Sequence, residues 1–93
     1  MSTVDTRFDA PAPDVLRTAK SRAAFADALR GRPGEWALLG QQTTRGTAGQ
    51  DAYEIRRGLR PANAGFTAGE FEAEAKTLFG EHRVYVRYVG GAR

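Results

Sequence analysis

The chain has no cysteine and a single histidine, His82. The first absence excludes a disulfide framework, a thiolate nucleophile and the Cys-rich kinds of zinc site, and the second excludes a two-histidine metal face. Apolar runs are short, as in Trp36-Ala37-Leu38-Leu39, against the ~18–20 residues that a membrane-spanning helix needs. Met1-Ser2-Thr3-Val4-Asp5-Thr6-Arg7 lacks the basic patch and apolar stretch of a secretory signal, so a cytoplasmic protein without a membrane partner is expected. Large apolar side chains are scarce as well: 41% of the 93 residues are apolar, but 16 are Ala, which leaves 22 larger ones. One small domain with a thin core is what such a chain can build.

Against these absences stands a mild basic excess. The formal charge is +3 and 12 of the 14 cations are Arg, whose planar fork suits phosphate, although an Arg- and Ala-rich composition also follows from a GC-rich genome. Residues 1–14, with Pro11 and Pro13, are expected to be a flexible lead-in, residues 15–90 the single domain, and residues 91–93 a tail.

Ser21 before Arg22–Arg30, with Phe25, Ala28 and Leu29 on one stripe and Gly31 after them, predicts a first short helix. Val15 and Leu16 fall off that stripe and suit a short strand. Glu35–Leu39, between Pro33-Gly34 and Gly40, reads as a buried strand with Trp36 its largest core candidate. A loop over Gln41–Gly46 then leads to Thr47-Ala48-Gly49-Gln50, a capping box opening a second helix whose buried stripe is Ala48, Ala52, Ile55 and Leu59. Phe71–Thr77 fits a helix, through Phe71, Ala75, Leu78 and Phe79, and also a strand, through strict alternation. The strand is preferred, because Arg83–Val89 alternates too. Pairing Leu78 with Arg83 sets Thr77 against Val84, Ala75 against Val86, Ala73 against Tyr88 and Glu74 against Arg87. The expected fold is α+β: two short helices packed on a small, mostly antiparallel sheet, in the order α-β-α-β-β with a C-terminal hairpin. Trp36, Ile55, Leu59, Phe71, Val84, Val86 and Tyr88 would centre its core.

Catalytic constellations are thin. His82 stands beside Glu81 with no activated nucleophile, and Glu72 and Glu74 lie about 7 Å apart on one strand face with no cleft in prospect. No catalytic residue, metal or cofactor is assigned. On a helical wheel, Arg56, Arg57, Arg60 and Tyr53 fall on one flank of the second helix, while Asp51 and Glu54 fall on the other. Thr44 and Arg45 precede that helix. Hydroxyls, Arg side chains and a helix N-terminus are common parts of phosphate sites, so Thr44, Arg45, Tyr53, Arg56, Arg57 and Arg60 form the candidate nucleic-acid surface, with DNA the expected partner. A homodimer would compensate for the few contacts one copy offers. An ordinary surface helix whose arginines complement its dipole would carry the same residues. Tyr85 between Arg83 and Arg87 could stack a base, but Glu72 and Glu74 across the strand would neutralise those cations. The competing reading is a protein-binding module anchored by Phe66 and Phe79, both in expected loops, unless they fold back over the core.

The segments Pro33-Gly34-Glu35-Trp36-Ala37, Ile55-Arg56-Arg57-Gly58, Gly69-Glu70-Phe71-Glu72-Ala73 and Val84-Tyr85-Val86-Arg87-Tyr88-Val89 resemble those of short proteins of actinobacteria and their phages, over residues 21–90. The resemblance implies the hairpin at residues 70–78 and small accessory roles of the phage or mobile-element kind, such as DNA binding or obstruction of a host protein. It implies no activity, and no functional residue is carried over from it.

Overall fold

The structure is a computed structural model that describes residues 12–90; most of the expected lead-in, residues 1–11, and the tail 91–93 lie outside the described residues. Helix α1 spans Ala19–Arg30, β1 Ala37–Gln42, α2 Arg45–Arg57, a single 3-10 turn Pro61–Asn63, β2 Phe71–Leu78 and β3 Glu81–Tyr88. The three strands form one antiparallel sheet in the order β1-β3-β2, so the α+β fold and its element order are as expected. Both helices contribute to the core on one face of the sheet, with Ala26 and Leu29 of α1 and Ala48, Ala52 and Ile55 of α2 buried against Val84, Val86 and Phe71.

Both helices start three residues earlier than the sequence pattern suggests, for the same reason. Thr18 and Thr44, each with extended backbone, accept the N–H groups of Ser21 and Thr47 on their hydroxyls at 3.0 Å. Ser21 and Thr47 are therefore the third helical residues, not the caps. At the other end of α2, Gly58 turns left-handed at φ 65°, and its N–H reaches back to the carbonyls of Glu54 and Ile55. Leu59 thus lies beyond the helix and is 44% exposed, which corrects its expected place in the core.

Trp36 is also corrected. It precedes β1 on the side of the sheet that faces away from the helices, 40% exposed, with the Arg87 guanidinium 4.7 Å above its ring. Phe66 takes the central place instead. It is 1% exposed and stands edge-on between Phe25 and Phe71, and Phe71 meets Tyr88 in the same way, a chain of aromatic contacts linking α1 to the hairpin.

The hairpin is real, but its register differs by two from the expected one: Leu78 pairs with Glu81, Ala75 with Val84, Ala73 with Val86 and Glu72 with Arg87. A shift of two preserves the faces of all side chains, so the small-against-large packing survives. Its cause is a tight connection, in which Phe79 and Gly80 both take positive φ, 53° and 76°, as a two-residue type I′ turn requires. At the far edge, Gln41 N–H donates to the Pro13 carbonyl at 2.8 Å and Val15 N–H donates to the Gln41 carbonyl at 3.2 Å. That segment fits only because Gly40 has no side chain: a Cβ there would lie 2.5 Å from Val15 Cα.

Candidate functional site

Helix α2 is held by its buried stripe, Ala48, Ala52 and Ile55. This orientation leaves Arg45, Tyr53, Arg56 and Arg57 exposed on the opposite flank, four of the six expected site residues. The two arginines near the C-terminus cluster around Tyr53, with guanidinium carbons 6.0 Å (Arg56) and 5.6 Å (Arg57) from its ring centroid. Arg56 Nη1 also donates to the Ala73 carbonyl of β2 at 2.7 Å, fixing the flank against the sheet edge. Arg45 opens the helix, about 16 Å along the axis from Arg56 at 1.5 Å per residue.

The other two residues are not gathered there. Thr44 uses its hydroxyl as the helix cap. Arg60 lies past the left-handed Gly58, takes φ 80° itself, and turns its Nε to Glu54 Oε2 at 3.0 Å on the acidic flank. Wheel geometry cannot extend through a residue that reverses the backbone, so Arg60 is separated from Arg56 and Arg57.

Asp51 and Glu54 are both engaged on the acidic flank. Asp51 is 8% exposed and receives both Nη atoms of Arg22, at 2.9 and 2.8 Å, together with Gln42 Nε2 at 2.8 Å. Arg22, itself buried, donates further to Asn63 Oδ1 and to the Leu16 carbonyl, and Asn63 donates to the Leu59 carbonyl. Local periodicity shows none of this network, because its members stand 29 and 41 residues apart. Glu54 accepts from Gln50 Nε2 at 2.9 Å, and this bond, with the Arg60 contact, lowers its carboxyl below the ordinary value against the opposing effect of burial. An open cleft of about 500 Å³ lies over these groups, lined by Gln42, Gly46, Thr47, Gln50, Asp51, Glu54 and Arg60.

On the face of the sheet away from the helices, charges alternate as a ladder. Arg87 Nε donates to Glu72 Oε1 at 2.7 Å, Arg83 contacts Glu81 at 2.6 Å and Lys76 lies 3.7 Å from Glu74. Glu72 and Glu81, not Glu72 and Glu74 as expected, thus sit on the cations that flank Tyr85, and Glu74 turns to Lys76 instead. Glu81 also accepts the Ala12 N–H, and the Arg83 bond followed by this one lowers its carboxyl from the ordinary value. His82 lies in β3, and its Nδ1 is 3.0 Å from Thr77 Oγ1 beside Arg45 and Ala75 in a pocket of about 120 Å³. Of the two loop aromatics, Phe66 folds into the core, while Phe79 is 78% exposed.

The distribution of pairing separates the two flanks. Among the described residues, none of the ion pairs includes Arg45, Arg56 or Arg57. No helix is long and apolar enough to cross a membrane, and no group of three or more His, Cys, Asp or Glu residues is placed to hold a metal ion, both statements being of the described residues. Comparison with protein-family models, with curated proteins and with solved structures gives no match.

Proposed function

We propose that this chain is a small non-enzymatic DNA-binding accessory protein, which contacts backbone phosphates through Arg45, Arg56 and Arg57 on the exposed flank of α2, with Tyr53 as their platform. The observation that carries this reading is the absence of ion pairs to these three arginines among the described residues, while the carboxylates of the same helix face the other way and are already engaged. Cations without a carboxylate neighbour retain their full attraction for a polyanion. Phosphate contacts of this kind position a protein on a duplex without reading its sequence.

Three such contacts give weak binding whose log-log salt slope is about −2.7, at about −0.9 per phosphate. Arg45→Ala with Arg57→Ala removes two of them from exposed positions, and the slope should fall to about −0.9. Fluorescence polarisation with a labelled duplex, titrated across salt concentrations, measures both. Undetectable affinity at about 50 mM salt, or a slope that the double substitution leaves unchanged, would end the proposal.

A second reading, docking to another protein, is favoured by Phe79. A bulky aromatic held at φ 53° and 78% exposed carries a conformational cost with no burial in return, and exposed aromatics are frequent interface anchors. Under that reading a stoichiometric partner remains bound after nuclease treatment.

A further inference from the structure

The two edges of the sheet are finished differently. The outer side of β1 is occupied by the Pro13–Val15 segment, and its pairing with β3 is broken by an irregularity between Leu38 and Gly40. β2 has neither device. Its eight residues contain no proline and pair with β3 without interruption from Phe71↔Tyr88 to Leu78↔Glu81. Long, regular edges of this kind are templates for another strand.

The ladder shows which groups such a strand would meet. Val89 N–H donates to the Glu70 carbonyl, which makes Phe71↔Tyr88 a pair without mutual hydrogen bonds. By alternation, Phe71, Ala73, Ala75 and Thr77 direct their backbone N–H and C=O groups outward. Among the described residues, the contact Arg56 makes with these groups is to the Ala73 carbonyl, and that oxygen keeps a second lone pair.

We propose that β2 pairs antiparallel with β2 of a second copy of this chain about a two-fold axis at Ala75, joining the two sheets into one of six strands. Charge selects the register. A dyad at Glu74 or Lys76 sets a like charge against itself, one at Ala73 sets Glu72 against Glu74 of the other copy, and one at Thr77 forms no charge pair. At Ala75, Glu74 of each copy stands opposite Lys76 of the other, in the closely spaced pairs where side-chain charge acts most strongly. On the helix-facing side β2 presents the small side chains of Ala73, Ala75 and Thr77, with the Arg56 guanidinium reaching the same edge at the Ala73 carbonyl. The axis is perpendicular to the sheet, so both α2 helices lie on the same face and their basic flanks stand on either side of it.

This association does not depend on DNA binding, and its test contains no nucleic acid. Sedimentation velocity of the nuclease-treated full chain should show a reversible species of twice the 10.1 kDa chain mass. Glu74→Lys and Lys76→Glu, both at exposed positions, should each weaken self-association by roughly tenfold, as two cross-strand attractions become repulsions. Mixing the two variants should restore it, because each supplies the charges the other lacks. Circular dichroism of each variant checks that the fold is retained. A monomer at every soluble concentration would overturn the proposal, as would a dimer indifferent to both reversals or a mixture no tighter than either variant alone.

Discussion

Arg22 is 4% exposed, and its guanidinium makes four hydrogen bonds: to both oxygens of Asp51, to Asn63 Oδ1 and to the Leu16 carbonyl. In a core with few large apolar side chains, this bidentate pair fixes how α1 meets α2. Such a pair adds little over an apolar replacement, but breaking it leaves a buried charge. Arg22→Ala should therefore cost about 3–5 kcal/mol in urea denaturation, whereas Arg22→Met combined with Asp51→Leu should recover most of that loss. Equal destabilisation by the single and double variants would show that the charges contribute directly. Nothing in the sequence pattern marks Arg22 or Asp51. Each lies on a helix whose local periodicity gives it a solvated place, and only the tertiary approach of α1, β1 and the 3-10 turn encloses them. Trp36 and Phe66 show the same limit: size nominates both for the core, but only the position of a residue on its strand or loop decides which one enters.

At the scale of elements, α2 and the hairpin were the most legible parts. The stripe Ala48, Ala52 and Ile55 is buried as its spacing predicts, and Val84 and Val86 are fully buried on the alternating strand. Ends were less legible. The pattern Thr44-x-x-Thr47 caps as well as Thr47-x-x-Gln50 could, and an early cap lengthens the helix enough to engage Arg45. The hairpin register was missed because Phe79 is an unfavourable choice for the first central position of a type I′ turn, where Asn, Asp or Gly relieves the left-handed backbone. Phe79→Asn should thus stabilise the protein by about 0.5–1 kcal/mol, read as a higher denaturation midpoint. A loss of stability would instead show that the contact of Arg83 with the Phe79 ring, 5.6 Å to the centroid, outweighs the strain. The four exposed residues of the candidate flank were legible because they lie within the regular helix, and Arg60 was not because Gly58 reverses the chain before it.

For the whole molecule, two carboxyl groups held below their ordinary values couple stability to pH. Glu54 and Glu81 gain hydrogen bonds on folding that favour the charged form. Their contribution is therefore complete above the carboxylate value of the unfolded chain and is lost as pH falls through the lower folded value. Glu81 has the further task of holding Ala12 N–H, with both oxygens, beside the segment that covers β1. Denaturant midpoints measured across the acid range should decline, and Glu81→Gln should flatten that decline by removing the Glu81 titration. An unchanged slope in the variant would place the acid sensitivity elsewhere.

The strand order β1-β3-β2 also governs when this fold can exist. β1 is completed at Gln42, but its partner within the sheet is β3, which ends at Tyr88, and β2 has the same single partner. During synthesis residues 19–57, which hold α1, β1 and α2, have no sheet to pack on until the hairpin follows. β3 is the shared member of both ladders, so neither ladder can be completed until residues 81–88 have been made.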